Sequence, residues 1–364
     1  IRQTSERRQM SCVAVWLAPV LALLLSTCIL PRALAAPVLT TIATFPGEDP
    51  AGLIIDAAGN LYGCVPNRFA SSRIFEITQG SHTAVTLASV PHVDLDNLAL
   101  DRAGNIFGTS DAGDLKSSSV FELAKGSHTV KTLARVRDVI SVGIAVDKPG
   151  NVFWAVGSEL TKGRVFKVVK GSHTLITLAT FPTSLPMSIS LDDTGNCFCT
   201  TAGGTDNLII GRVVEMANGS HTAIVGSLQG TFPWCCHADA AGNLFGTTSS
   251  DKSDISTIFE IVKGSHAITP LATLPHVMSS YLALSSTGNI FATTMLISDF
   301  KVSSVVKLVS EGHQVTTLAT FHEATPKNLI LDTSGNLFGT TTYKNSTPGT
   351  VFEIVAPQTS TLAP

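Results

Sequence analysis

Six of the ten histidines in this 364-residue chain, His82, His128, His173, His221, His266 and His313, recur at intervals of 45 to 48 residues. Imidazoles repeated in this way would suit a metal array or a set of proton carriers. Six aspartates recur in step with them, at Asp56, Asp101, Asp147, Asp192, Asp239 and Asp332, with Ser285 in the remaining place. A ring of carboxylates would suit a cation. Recurrence argues against both readings. Each Asp (or Ser285) opens the pattern x-x-Gly-Asn, and each His follows Gly-Ser or, at Ser310-Glu-Gly-His313, a shifted equivalent. Turn chemistry explains these residues one unit at a time.

The residues that do not recur are more informative. Trp234-Cys-Cys-His237 is a local oddity, and His237 is the one ionisable residue at its place in the units. Beside Asp94, His92 or His276 it would serve as general base or metal ligand; the competing reading is a buried histidine satisfied by backbone. Cys64, Cys197, Cys199, Cys235 and Cys236 stand where other units have Leu, Gly, Thr or other small residues. The preferred reading makes them small core fillers. A disulfide joining the 197/199 pair to the 235/236 pair is the second, and a metal site, for which the spacings fit poorly, the third.

The elements that position these residues follow from the repeat. Gly-Asn pairs at 59–60, 104–105, 150–151, 195–196, 242–243, 288–289 and 335–336 mark seven units, and a fixed period of this length means stacked supersecondary modules. Each unit reads as four short strands, a to d, with strand-favouring residues bounded by turn signals. In the second unit these are Asn97–Leu100, Asn105–Thr109, Ser119–Leu123 and Thr129–Ala134. Asp-x-x-Gly-Asn predicts a type I turn with a left-handed Gly between a and b. Pro149 predicts that the third such turn departs from its siblings. Gly80-Ser81, Gly126-Ser127, Gly171-Ser172, Gly219-Ser220 and Gly264-Ser265 predict two-residue hairpins between c and d. Tyr62, Phe107, Phe153, Phe198, Phe245, Phe291 and Phe338 on strand b, and Phe75, Phe121, Phe166, Phe259 and Phe352 on strand c, are expected to pack between units.

The fold expected is all-β, a seven-bladed β-propeller of four-stranded antiparallel blades over residues 36–357. The last unit stops after strand c, Thr350–Ile354, and the missing strand stands at the other end as Val38–Pro46. Pairing the two closes the ring and leaves no open edge.

Arg7 and Arg8, the apolar run Val13–Leu25 and Ala33-Leu-Ala35 read as a signal peptide with Met10 as its start, so residues 1–35 are expected to be removed. Residues 358–364 read as a tail. Cleavage changes 24 basic and 27 acidic residues to 20 and 26, moving the net charge from −3 to −6. That balance lacks the basic footprint of a nucleic-acid binder. No run is long enough for a membrane span; a secreted monomer without cofactor or metal is expected. The sequons at Asn218 and Asn345 would matter only in a glycosylating eukaryote.

The run Asp49–Gly63, with Gly349-Thr-Val-Phe-Glu-Ile354, resembles the Gloeo/Verruco ("GloVer") tandem-repeat family of exported bacterial proteins. The resemblance implies a propeller-like exported protein and brings no catalytic residues with it. Asp-x-x-Gly-Asn-Leu-Phe is more loosely similar to NHL-type and gluconolactonase-like propellers, which include both binding modules and metal-dependent lactonases.

Strand direction puts the uniform a–b and c–d hairpins on one face and the varied b–c and d–a connections on the other, the usual place for function. The d–a connections bring Glu48, Asp49, His92, Asp94, Asp96, Arg137, Asp138, Trp234, His237, His276, Tyr281, His322, Glu323 and Lys327. Near the entrance, strand a offers Gly52, Asn97, Gly143, Ser188, Cys235, Tyr281 and Asn328, with no carboxylate among them. The candidate binding set is Asp49, His92, Asp94, Asn97, Trp234, His237, His276, Tyr281 and Asn328. A binding scaffold for a glycan, peptide or surface protein comes first; a hydrolase or lyase of sugar-like substrates at the channel mouth is the alternative, and a purely structural envelope component the third.

Overall fold

Seven four-stranded antiparallel sheets, with no helix among the described residues, make up the computed structural model, which describes residues 37–158, 163–205, 208–217, 221–229, 231–250, 254–342 and 347–355. The signal segment, the tail, the two sequons and the Gly219-Ser220 hairpin lie outside these residues. Strand β1 is Val38–Phe45. Blade 1 is β2 (Ala51–Ile55), β3 (Leu61–Val65), β4 (Ser71–Ile77) and β5 (Val85–Pro91). Blade 2 is β6 (Val93–Leu100), β7 (Ile106–Ala112), β8 (Ser117–Leu123) and β9 (Val130–Arg137). Blade 3 is β10 (Ile140–Val146), β11 (Val152–Gly157), β12 (Gly163–Val168) and β13 (Leu175–Phe181). Blade 4 is β14 (Ser184–Leu191), β15 (Cys197–Thr205), β16 (Leu208–Ala217) and β17 (His221–Gln229). Blade 5 is β18 (Thr231–Ala238), β19 (Leu244–Ser250), β20 (Ile255–Ile261) and β21 (Ile268–Pro275). Blade 6 is β22 (Val277–Leu284), β23 (Ile290–Leu296), β24 (Val302–Leu308) and β25 (Val315–His322). Blade 7 is β26 (Pro326–Leu331), β27 (Leu337–Thr341) and β28 (Gly349–Val355), completed by β1. Val38 pairs with Val355 and Phe45 with Gly349, which is the expected closure.

The a strands β2, β6, β10, β14, β18, β22 and β26 neighbour one another in a closed ring around the axis. The core is divided accordingly. Seven apolar clusters lie between the seven pairs of adjacent blades; between blades 7 and 1, for example, Phe45, Phe75, Phe338 and Val351 meet. Cross-strand volumes are matched. Gly63, Gly108, Gly246 and Gly339 face Phe75, Phe121, Phe259 and Phe352. A Cβ on Gly108 would stand 2.3 Å from the Phe121 ring. Where strand c carries Val214 or Val306 instead, the partner has grown to Cys199 or Ala292.

This matching explains Cys199, and all five described cysteines are buried free thiols. The disulfide reading fails on geometry. Cys197 and Cys199 point to the blade 3 side of β15, among Phe153 and Val165. Cys236 packs on the other side, with Phe198 and Phe259. Burial pushes the Cys235 thiol up to about 12 and the Cys236 thiol to about 11, so both stay protonated.

The a–b turns form as expected. In the first, Asp56 Oδ1 accepts from the amides of Ala58 (2.9 Å) and Asn60 (2.8 Å), and Gly59 has φ +85°. Pro149 does not break the pattern. The third turn still closes from Asp147 N–H to Asn151 O at 3.0 Å, and Gly150 N–H replaces the amide that Pro149 lacks on Asp147 Oδ1. The c–d connections are longer than two residues: β4 ends at Ile77 and β5 begins at Val85. Their glycines take φ near +75°, and His173, His266 and His313 also adopt positive φ. The Asn of five Gly-Asn pairs has a further task. Asn60, Asn105, Asn151, Asn243 and Asn289 accept the N–H of Gln79, Lys125, Lys170, Lys263 and Ser310, joining the two hairpins of a blade. Blade 7 takes its outer strand from the other end of the chain, so no c–d hairpin exists there and Asn336 Oδ1 is left unpaired.

Candidate functional site at the channel mouth

Apart from residues 46–50 before blade 1, the d–a connections are too short to be loops. Strand d runs almost directly into the next strand a, reversing at single residues with left-handed backbone: His92 (φ 56°), Asp138 (58°), His276 (59°) and Glu323 (57°). Each donates its N–H to a carbonyl at the b–c connection of its own blade, from His92 to Ala70 (2.9 Å) and from Asp138 to Lys116 (2.9 Å), for example. Side-chain pairs reinforce the same clasp: Arg68 with Asp94, Arg73 with Glu48, Lys301 with Glu323 at 3.0 Å, and His276 with Asp254 at 3.9 Å. These pairs stand partly in solvent and contribute little stability.

From its outer start each a strand runs inward to the axis and bulges on the way. The register against strand b slips between Leu95 and Leu98, between Pro233 and Cys235, between Ser279 and Leu282, and between Lys327 and Ile330. A bulge leaves residues unpaired and re-aims their side chains. The unpaired residues are Asp96 and Asn97 in blade 2, Trp234 in blade 5, Ser280 and Tyr281 in blade 6, and Asn328 and Leu329 in blade 7, and they border the axial channel. A cavity of about 240 Å³ occupies the channel, and one of about 390 Å³ opens above it on the varied face.

Four of the residues singled out from sequence meet here. Asn97, Trp234, Tyr281 and Asn328 line both the mouth and the channel, and His237 lines the channel below. His237 is exposed to the channel rather than buried, and desolvation by the surrounding strands lowers its pKa and favours the neutral imidazole. Asp49, His92, Asp94 and His276 line neither cavity. Asp49, His92 and His276 are exposed at connections between strands, and Asp94 is paired with Arg68. The arrangement of His237 with Asp94, His92 or His276 therefore does not form.

The mouth has two unlike walls. Asp96, Lys327 and the amides of Asn97 and Asn328 form one; Trp234, Met187, Met278 and Met295 form the other, with Tyr281 beside them. Asp96 is reached by solvent yet sits within the concavity. Desolvation raises its carboxyl above the usual range, opposed by the Lys327 charge and a 2.8 Å hydrogen bond from Asn97 Nδ2. Desolvation, with the Asp96 charge nearby, pushes the Tyr281 hydroxyl up to about 12, so it remains a neutral donor. Trp234 is held by its indole N–H on Ser249 Oγ (3.0 Å) and by stacking on Phe232 at 6.2 Å. Among the described residues no three His, Cys, Asp or Glu side chains are grouped to hold a metal ion.

Asp96 and Lys327 belong to the d–a residues named from sequence but not to the candidate binding set, and the methionines were not singled out. Asp96 immediately precedes the strand position inspected for carboxylates, and only the two-residue bulge brings it to the entrance. A larger cavity of about 470 Å³ lies on the opposite face between blades 7 and 1, lined by turn residues such as Asp56 and Asp332. It is the space at the missing c–d hairpin, where Asp56 and Asp332 are committed to their own turns and Glu353 of β28 also lines the wall.

No family model matches this chain, and neither does any curated protein. Solved structures do. The chain is similar to a periplasmic gluconolactonase of Pseudomonas aeruginosa (TM-score 0.56, 12% identity, covering 85% of this chain and 99% of that one). It is also similar to a gluconolactonase from Xanthomonas campestris (TM-score 0.52, 12% identity, 89% and 91%). A prolyl endopeptidase matches at TM-score 0.59 and 10% identity over 87% of this chain, which spans about half of that enzyme. At these identities the likeness is one of fold, a propeller akin to the gluconolactonase type.

Proposed function

We propose that the chain is an exported binding propeller that recognises its partner, a glycan, a peptide or a surface protein, at the mouth of its axial channel. The observation that carries this reading is the contrast between the two faces. On the hairpin face the blades repeat Asp (Ser285 in blade 6), Gly and Asn, six of the seven units add a His, and the carboxylates and glycines serve their own turns. At the mouth each contributing blade offers something different: Asp96 and Asn97, Met187, Trp234, Tyr281, Lys327 and Asn328. A concavity of about 390 Å³ lies in the range that holds small ligands or one end of a larger one. Rigid strands rather than loops carry its lining, which limits the ordering cost of binding. Export through residues 1–35 and kinship with the GloVer repeat proteins belong to this reading, supported by the segment's composition and the repeat motifs.

The test is a comparison of wild type, Trp234→Ala and His128→Ala on glycan and peptide arrays. Retention of at least one class by wild type and His128→Ala, with its loss in Trp234→Ala, is expected. Equal retention by all three would overturn the proposal, because the mouth would then be irrelevant to binding.

A further inference from the structure

Resting on the binding role of the mouth, we propose that its ligand is a small zwitterion with an apolar side chain, an α-amino acid or dipeptide. The two walls carry the argument. Asp96 and Lys327 belong to β6 and β26, which flank β2 in the ring of a strands. They do not form an ion pair within 4.0 Å of one another, although the Lys327 charge acts on the Asp96 carboxyl. Between them blade 1 supplies Gly52, at φ +60°, with a virtual Cβ 2.7 Å from the Asp96 carbonyl. A carboxylate and an ammonium held apart across a gap complement a ligand that carries the opposite pair a few ångströms apart. A ligand ammonium would meet Asp96, and a ligand carboxylate would meet Lys327. The free Nδ2 of Asn328 adds a donor on the carboxylate side, because Asn328 uses only its Oδ1, with Thr340 at 3.3 Å.

The opposite wall fits the remainder of such a ligand. Met187, Met278 and Met295 are three of the chain's five methionines, and all three stand half-buried around this one opening with Trp234. Thioethers adapt to differently shaped apolar groups and make favourable contacts with aromatic rings. A neutral sugar would use the amides and the indole, and would leave the charged pair and the three thioethers without complements. The position on the ring axis also favours a compact ligand over the middle of an extended chain.

Isothermal titration of the propeller with phenylalanine, methionine and the dipeptide Leu-Phe tests this, alongside their N-acetyl and methyl-ester forms and a set of neutral disaccharides. Saturable binding of the zwitterions is expected, weakened about tenfold to a hundredfold when either charge is blocked, as for the loss of one charge-assisted hydrogen bond. In Asp96→Asn the N-acetyl form should bind as well as the free amine, and in Lys327→Gln the ester as well as the acid. Disaccharide binding that Trp234→Ala abolishes and the zwitterions do not displace would overturn this inference and leave the binding role standing. Array binding unaffected by Trp234→Ala would remove both. Zwitterion binding insensitive to blocking of either charge would also overturn the inference.

Discussion

Side-chain volume is balanced across strands b and c in six of the seven blades (in blade 3 Phe166 faces Trp154), and this balance accounts for residues that otherwise look chemical. Phe75, Phe121, Phe259 and Phe352 each lie over a glycine, whereas Val214 and Val306 lie over Cys199 and Ala292. The sequence shows the aromatic period, and the rings do pack between blades. It does not show which glycine each ring needs, because pairing across strands depends on register. Cys199 looks like half of a redox pair until its partner is known to be Val214. Val214→Phe alone should overpack this site and cost about 1–3 kcal/mol. Adding Cys199→Gly should restore most of that loss, giving a coupling energy of opposite sign in a double-mutant cycle followed by chemical denaturation. Additive losses would show that the pair is not matched. The same limit hid Asp96: the alternation of strand a is legible, but a bulge that adds an unpaired residue shifts which side chains reach the axis.

Hairpins whose residues repeat were legible, and turns whose backbone repeats without a repeating residue were not. Asp-x-x-Gly-Asn announces its turn because the carboxylate, the left-handed glycine and the amide all have local roles. Even the Pro149 copy keeps its closure, since Gly150 N–H is available in place of the missing donor. The reversals between strand d and the next strand a share one conformation, but His92, Asp138, His276 and Glu323 share no chemistry. Read as letters they look particular to their blades and hence functional. Read as backbone they are one structural position, tied by its N–H to the b–c connection. His92→Gly should therefore leave both fold and binding intact, because glycine accepts positive φ. His92→Val should cost about 1–2 kcal/mol in thermal or chemical unfolding, since a β-branched residue resists that conformation. Loss of ligand binding in His92→Gly would contradict this assignment.

Closure of the ring makes the channel mouth a site rather than a collection of strand ends. β1 completes blade 7, the seven apolar clusters then run without interruption between neighbouring blades, and the a strands are held at fixed positions around the axis. The seven Gly-Asn units and the split last blade made this architecture readable from the chain alone. The chemistry of the mouth was only half readable. Asn97, Tyr281 and Asn328 could be placed at the entrance by counting along strand a; in blade 5 the count reaches Cys235, and Trp234 stands one residue before it. The facing of Asp96 by Lys327 joins residues 231 positions apart in sequence, and only the closed ring brings them to one opening. Hydrogen exchange, read with and without a ligand recovered from the arrays, tests the central claim most directly. The account predicts slowed exchange in the bulged halves of β6, β18, β22 and β26, with the Asp-x-x-Gly-Asn hairpins unchanged. Slowing confined to those hairpins would place binding on the uniform face and contradict it.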